Sequence, residues 1–211
     1  MFVDYDDIRV KLLYYTPINI AVEAALVCTD NDDRLDEYIA DSQTFLLKLL
    51  EQGHGSIFEH INYTFKVQNI SRALLQELAR HRHISLSVMS TRYTLKKVVD
   101  KQQLIFKLPH FSSRNDEETV MYNKLINTLV ELENVVADAV DTGIKNDVLK
   151  YFIPEALVTK LVLTVNCREL RHIFQLRLSN RALEEFRCLC ISLYNALPED
   201  HQFLYKDIVL V

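Results

Sequence analysis

The chain has 211 residues, 49% of them hydrophobic, which is enough apolar sequence to build a buried core and argues against disorder. The formal net charge is -5 and the isoelectric point is near 5.8, so the molecule as a whole repels polyanions and a general nucleic-acid binder is disfavoured. No stretch approaches the roughly 18 apolar residues of a membrane span, and the charged N-terminus does not resemble a signal peptide. We therefore expect a cytoplasmic protein without a membrane partner.

The four cysteines stand at irregular spacings, and two of them form the short pair Cys188-x-Cys190. That pair has the spacing of neither a zinc ribbon nor a redox C-x-x-C motif. We therefore expect Cys28, Cys167, Cys188 and Cys190 to be reduced thiols in the core, and we expect no metal site.

The first half of the chain alternates strand and helix signals, and no repeat, low-complexity tract or flexible linker divides it. We expect one continuous domain over residues 1–211. A stretch rich in β-forming residues predicts the first strand, two helical stretches follow, and an alternating stretch predicts a half-buried strand that leads into a further helix. These elements are expected at about 8–15, 18–28, 34–52, 61–67 and 70–82.

The second half opens with a long amphipathic helix, predicted over about residues 117–140. Its expected buried face consists of Met121, Leu125, Leu129, Leu132 and Val136. A helical stretch from about Asp147 follows and is disturbed at Pro154.

The last part of the chain combines a β-rich stretch at 161–165 with an N-cap signature, Asn166 followed three residues later by Glu169. Two final helices are expected over about 167–178 and 181–196. The predicted fold class is therefore α+β, a helix-rich single domain with a small, mainly antiparallel sheet.

The densest group of polar residues is the segment from Arg80 to Tyr93. It places the guanidinium groups of Arg80, Arg82 and Arg92, with several hydroxyls, around a helix end and the loop beyond it. Such a set suits the forked hydrogen bonds that hold phosphate and pyrophosphate. From composition alone, a solvated basic surface explains the segment equally simply.

Three motifs in this chain resemble those of the flavin-dependent thymidylate synthases. The central one is Arg80-His81-Arg82, followed after seven residues by Ser90 and extended by Arg92 and Tyr93. Upstream, the run His-Gly-Ser-Ile-Phe-Glu-His at 54–60 resembles the family's second motif. Downstream, Asn166-Cys167-Arg168 with the later Arg177 resembles the third.

The resemblance implies an enzyme that methylates dUMP to dTMP, with FAD as cofactor and with NADPH and methylenetetrahydrofolate as co-substrates. The sequence has neither a G-x-G-x-x-G dinucleotide motif nor the Pro-Cys-His nucleophile of the flavin-free thymidylate synthases. The cofactor, and not a cysteine, would then carry the carbon chemistry. The family forms a homotetramer with shared active sites, which we expect here as well.

The resemblance also implies roles for individual residues. Arg177 matches the arginine that stabilises negative charge on the uracil ring and is the expected catalytic residue. Positions that match FAD contacts are Ser56, Glu59, Arg80, His81, Arg82, Asn166, Arg168 and His172. Positions that match dUMP contacts are Glu77, Arg80, Ser90, Thr91, Arg92, Lys150 and Arg177.

Four positions depart from the common family pattern. Glu77 stands where Gln is common, Lys150 where Arg is frequent, and Ser87 and Val88 where Asn and Glu are common. A carboxylate at Glu77 repels the dUMP phosphate unless it faces the ribose. A lysine at position 150 keeps the charge but loses the bidentate fork of arginine.

Helical geometry separates the residues of the third motif. Arg168 and His172 are four residues apart and share a helix face, whereas Arg177 lies nine residues beyond Arg168, about 180° around the axis. One helix therefore cannot present both arginines to a single small pocket. The shared active sites of a homotetramer would resolve this, because opposite faces would then serve different sites.

Two other functions remain open on the residues alone. The region from Arg72 to Arg92, with Tyr93, would be the contact surface of a nucleic-acid binder, although the acidic net charge counts against it. A metal hydrolase would use His54, His60, His81 and His83, although no H-x-x-x-H or paired-carboxylate spacing accompanies them.

Overall fold

The computed structural model describes residues 2–101 and 104–209. Its main sheet has four antiparallel strands in the order β2-β3-β6-β4, and a separate pair of two-residue strands, β1 and β5, runs parallel. The strands are β1 (Phe2–Val3), β2 (Arg9–Tyr15), β3 (Asn62–Ser71), β4 (Ile84–Val88), β5 (Phe106–Lys107) and β6 (Val158–Asn166). The expected mainly antiparallel sheet is confirmed.

Helices cover most of the rest of the described residues, and none of them is long and apolar enough to pass through a bilayer. The α-helices are α1 (Asn19–Val27), α2 (Leu35–Ile39), α3 (Ser42–Glu51), α4 (Arg72–Leu78), α5 (Thr91–Asp100), α6 (Asp116–Asp141), α7 (Asn146–Leu149), α8 (Cys167–Arg177) and α9 (Glu184–Asn195). Short 3-10 helices lie at Tyr5–Asp7, Asp32–Arg34, Ser56–Glu59, Lys150–Phe152 and Glu199–Tyr205.

The core is organised around β3, the strand with the predicted period of two. Tyr63, Phe65 and Val67 are fully buried, while the residues between them turn to the other face. The inward face of the sheet packs against α1, α4, α8 and α9. On the outward face, the hydroxyls of Thr64 and Thr164 lie 3.0 Å apart, and Lys66 is exposed. One covered and one open face is the usual arrangement of a small antiparallel sheet.

Two strands run directly into helices without an intervening loop. Ser71 ends β3 and caps α4, because its hydroxyl accepts a hydrogen bond from the Leu74 amide at 2.9 Å. Asn166 ends β6 and caps α8, because its side chain accepts from the Glu169 amide at 2.8 Å, as the N-cap signature predicted. These junctions fix where α4 and α8 begin relative to the sheet.

The helix predicted over 70–82 begins later, because Ile70 and Ser71 belong to β3. Asn69 adds one unpaired residue to the strand and adopts the left-handed conformation, with φ of 62°. Its side-chain amide donates to the carboxylate of Asp7 at 2.9 Å. This bulge lets Ile70 return to the buried face.

The predicted helix over 34–52 is two helices, α2 and α3, which meet at Ala40 and Asp41. Asp41 leaves the helical region with φ of -131° and ψ of 46°, so the backbone turns at this point. Gly53, with φ of 80°, follows the end of α3 as the C-terminal signal predicts.

A second, smaller core joins α5, α6 and α7, and its buried residues include Leu95, Val136 and Val140. The prediction of a buried face along α6 is wrong for its first half, where Met121 and Leu125 are exposed. The apolar stripe exists, but in the described residues only its C-terminal part is covered by the same chain. The prediction that all cysteines lie in the core is wrong for Cys28, which is exposed.

Candidate active site

The first turn of α8 borders a cleft of about 600 Å³. Arg168 projects into it, and its Nη1 donates to Glu59 Oε1 at 2.6 Å. Both side chains are largely exposed, 59% for Arg168 and 49% for Glu59, so a ligand can reach them. The cleft is lined by Leu50, Gly55, Phe58, Glu59, His83, Asn166, Arg168, Glu169, Arg171, His172 and Gln175.

Gly55 forms the floor beneath Arg168. A methyl group added to Gly55 would lie 3.2 Å from Arg168 Nε, closer than ordinary van der Waals contact. The missing side chain therefore leaves room for the guanidinium to lie against the backbone of the 54–60 motif. Gly55 belongs to the 54–60 motif, but the sequence alone did not indicate a role for it, because Arg168 is distant in the sequence.

The last turn of α8 presents Arg177 to a different environment. Its Nε donates to His81 Nε2 at 3.1 Å, and its Nη1 donates to Glu77 Oε2 at 3.0 Å. The guanidinium carbon lies 4.8 Å from the centre of the Phe186 ring, within the range of a cation–π contact. Only 20% of the Arg177 side chain is exposed. Neither of the two hydrogen bonds uses Nη2.

His81 lies between these two ends of α8. It is buried, its Nδ1 lies 3.3 Å from Glu169 Oε1, and its ring meets that of His172 edge to face at 6.1 Å between centres. Burial and the positive charge of Arg177 lower the pKa of His81, against the opposing effect of Glu169. The imidazole is thus held in its neutral form.

The remaining arginines of the central motif lie at the surface. Arg80 is exposed, and its Nη1 is 3.8 Å from Glu77 Oε1, while Arg82 is also exposed. In the second motif, Ser56 opens the 3-10 helix of Ser56–Glu59 and is exposed as well.

Ser90, Thr91 and Arg92 lie at the start of α5. Arg92 Nε donates to Asp147 Oδ1 at 2.6 Å, and its carbonyl accepts from Asn146 Nδ2 at 3.0 Å, so α5 is joined to α7. Arg92 lines a second cleft of about 410 Å³ between these helices, and Thr91 is buried. Lys150 lies on the following 3-10 helix, 5.8 Å from the ring centre of Tyr151.

The structure therefore brings nine of the fourteen predicted residues into three groups, and Ser56, Arg82, Ser90, Thr91 and Lys150 belong to none of these groups. Glu59, Asn166, Arg168 and His172 share the large cleft; Glu77, Arg80, His81 and Arg177 form a contact network; and Arg92 lies in the α5–α7 cleft. Arg168 and His172 share a face, as the helical spacing predicted, and Arg177 does not line their cleft.

The four histidines of the metal-hydrolase alternative are not gathered into one site in the described part of the chain. His81 instead groups with Glu169 and His172, whose potential ligand atoms all lie within 4.8 Å of one another. Arg177 already donates to His81 at 3.1 Å, and a guanidinium at that distance opposes a cation on the same ring.

Comparisons with known proteins agree with the motifs. The family model described as thymidylate synthase complementing protein matches residues 11–201. The flavin-dependent thymidylate synthase of Campylobacter jejuni is 36% identical over 201 residues, covering 94% of this chain and 96% of its own. That of Helicobacter pylori is 34% identical over 199 residues, covering 92% and 95%.

Solved structures give the same result. Thymidylate synthase X from Helicobacter pylori, crystallised with FAD and dUMP, superposes with a TM-score of 0.77 at 32% identity, covering 95% of this chain and 98% of that one. A UMP/dUMP methylase from Streptomyces cacaoi, at 21% identity and a TM-score of 0.71, shares the fold. From its sequence, motifs and fold, the chain belongs to the family of thymidylate synthase complementing proteins, the flavin-dependent thymidylate synthases.

Proposed function

We propose that this chain methylates C5 of dUMP to give dTMP, with bound FAD, methylenetetrahydrofolate as carbon donor and NADPH as reductant. The observation that carries the proposal is the pairing, on one helix, of an open guanidinium cleft at Arg168 with a fixed, half-buried guanidinium at Arg177. The first suits a large anionic cofactor, and the second suits charge that develops on a small ring. When bound, FAD would supply the hydride that completes the methyl group.

The large cleft fits the FAD-binding role. Gly55 leaves space beside Arg168, and Asn166, Arg168 and His172 all border the same volume. We assign FAD contacts to Ser56, Glu59, Arg80, His81, Arg82, Asn166, Arg168 and His172. Because Glu59 holds Arg168 through an exposed ion pair, the cofactor phosphates would compete with that carboxylate for the guanidinium.

Arg177 is assigned the catalytic role. His81 and Glu77 fix two of its nitrogen atoms, and Nη2 remains available to face the uracil. A guanidinium stays protonated, so it stabilises negative charge on the ring without competing for the ring proton. The remaining dUMP contacts are assigned to Glu77, Arg80, Ser90, Thr91, Arg92 and Lys150.

The cysteines support a mechanism without a thiolate nucleophile. Cys167, next to Arg168, is fully buried, and burial raises the pKa of its thiol to about 11. Cys190 is buried as well, and its pKa is also raised by burial. All four cysteines are free thiols, which agrees with the reducing cytoplasm in which we place the reaction.

A homotetramer with shared sites is part of the proposal. Arg92 and Arg168 line separate clefts, and Arg177 lines neither of them, which supports a site assembled from more than one copy of the chain. The exposed Val120, Met121 and Leu125 on α6 offer apolar surface for such an assembly.

The first test is an absorbance spectrum of the purified protein after reconstitution with FAD, followed by anaerobic addition of NADPH with and without dUMP. We expect oxidised-flavin absorbance that bleaches with NADPH, and dTMP once methylenetetrahydrofolate is present. A protein that takes up no FAD contradicts the proposal.

Light scattering measures the oligomeric state of the protein. Mixing inactive Arg92→Ala and Arg177→Ala chains tests whether sites are shared, because subunit exchange should then restore activity.

A further inference from the structure

The contact between Arg177 and His81 imposes a proton position on the imidazole. Arg177 Nε carries a hydrogen and can only donate, so His81 Nε2, at 3.1 Å, must accept. A neutral histidine with an accepting Nε2 carries its hydrogen on Nδ1. A protonated His81 would have no acceptor and would place a second positive charge against the guanidinium.

Glu169 meets the other nitrogen. Its Oε1 lies 3.3 Å from His81 Nδ1, and a carboxylate there accepts the Nδ1 hydrogen. The Glu169 side chain is 11% exposed, and that of His81 5%. In the tautomer that Arg177 requires, hydrogen-bond donation therefore runs in one direction, from Arg177 to His81 and from His81 to Glu169.

The other groups around His81 do not replace this partner. His172, on the next turn of α8, and Phe186, on α9, meet the imidazole edge to face, with ring centres 6.1 and 5.8 Å away. The charged or titratable groups that face His81 are therefore Glu169, Arg177 and His172. Of these, Glu169 is the carboxylate.

We propose that Glu169 is a positioning residue for the reaction, because it holds His81 in the tautomer whose Nε2 orients the catalytic guanidinium of Arg177. The inference rests on the proposed function only for the catalytic role of Arg177. In metal sites, a carboxylate that holds a ligating histidine in this way commonly changes affinity or activity about 10- to 100-fold when removed, and we expect a loss of the same order here. Neither the three motifs nor the family resemblance assigned Glu169 a role.

Two substitutions separate positioning from charge. Glu169→Ala removes the acceptor, and we expect kcat at saturating FAD to fall about 10- to 100-fold while the KM for dUMP stays within about two-fold. Saturating FAD is used because Glu169 also borders the large cleft. Glu169→Gln keeps an acceptor oxygen without the charge, and we expect kcat to stay within about three-fold of the original. Glu184→Ala is the matched control, since Glu184 forms an exposed pair with His110 at 3.0 Å.

The pH profile adds a readout that a purely structural role would not move. The negative charge of Glu169 favours protonated His81, so its removal lowers the pKa of His81 further. Activity requires neutral His81 and is lost as pH falls through that pKa. The acidic limb of kcat should therefore move to lower pH in Glu169→Gln.

The tautomer is measured directly by ¹⁵N NMR of histidine-labelled, FAD-loaded protein, with His81→Gln used for assignment. We expect a protonated Nδ1 and an unprotonated Nε2 at His81. The opposite tautomer, an unchanged kcat in Glu169→Ala or an unmoved acidic limb in Glu169→Gln overturns the inference. The NMR result needs no turnover, so a protein that forms no dTMP contradicts the proposed function and leaves the tautomer test intact.

Discussion

The first and last turns of α8 each carry an arginine, and the two side chains are held in different ways. Arg168 is 59% exposed and is paired through one guanidinium nitrogen with Glu59, whereas Arg177 is 20% exposed and contacts His81, Glu77 and Phe186. An exposed pair can exchange its partner for a ligand at little cost. A guanidinium fixed from three sides is already oriented before the substrate arrives, which is what stabilisation of developing charge requires. In the proposed function, the same helix serves FAD binding at its first turn and catalysis at its last turn.

The largest expected effect is at Arg177, on the last turn of α8. Arg177→Ala should lower kcat about 10²- to 10³-fold, the usual loss when one preorganised donor is removed from a transition state. FAD content, read from flavin absorbance, should not change, because Arg177 does not line the large cleft. Arg177→Lys keeps the charge without the fork and should recover only part of kcat. A variant that loses FAD instead would contradict the separation of the two ends.

Arg168→Ala should weaken FAD binding and leave catalysis at Arg177 unchanged. Loss of a charged hydrogen bond to the cofactor is expected to weaken FAD binding about 10-fold or more. At saturating FAD, kcat should stay near that of the unaltered protein. Equilibrium titration of flavin fluorescence gives the affinity. A fall in kcat that excess FAD does not repair would show that Arg168 also takes part in the chemistry.

Gly55→Ala tests, with a single added methyl group, whether the position of the Arg168 guanidinium determines the FAD affinity. The new Cβ would lie 3.2 Å from Arg168 Nε and should displace the guanidinium, weakening FAD binding about three- to ten-fold, less than removal of its charged hydrogen bonds. The matched control is Gly53→Ala, where φ is 80° and no atom lies within 4 Å of the added carbon. That control should cost about 1 kcal/mol of stability through backbone strain and leave the FAD affinity unchanged.

The smallest expected effect is at Glu77, the acidic departure from the family pattern. Glu77→Gln keeps an oxygen for Arg177 but removes a half-exposed charge near the proposed dUMP site. Because the substrate is anionic, we expect KM for dUMP to fall about two- to three-fold at low ionic strength, with less change in high salt. A rise in KM would show that the negative charge strengthens the dUMP contact assigned to Glu77 more than it repels the phosphate.

Sequence patterns correctly predicted those elements that depend only on residues close together in the sequence. The alternation in β3 and the cap at Asn166 needed only neighbours in sequence, and both are present. The break between α2 and α3 and the exposed first half of α6 were missed. Periodicity shows that a helix has an apolar face, but whether the same chain covers that face depends on packing between distant residues.

The features of the candidate site also separate into those that the sequence predicted and those that depend on contacts between distant residues. Helical geometry predicted that Arg168 and His172 would share a helix face that Arg177 does not, and the structure places those two residues in one cleft that Arg177 does not line. The roles inferred for Gly55 and Glu169 depend on approaches to Arg168 and His81, residues far away in the sequence, and no spacing rule predicts such distances. Phe186, which lies under the Arg177 guanidinium, was missed for that reason as well.

The bulge at Asn69 determines how this part of the fold can vary in length. One extra residue in β3 is left unpaired between Gln68 and Ile70, Ser71 caps α4, and α4 leads directly to the Arg80-His81-Arg82 motif. Without Asn69, Gln68 and Ile70 would follow each other in a regular strand and keep their present faces, because they pair with consecutive residues of β6. One further paired residue inserted at this point would exchange the faces of the strand from there on. Insertions therefore belong in surface segments such as residues 108–115, whereas the number of residues in β3 is set by its pairing with β6.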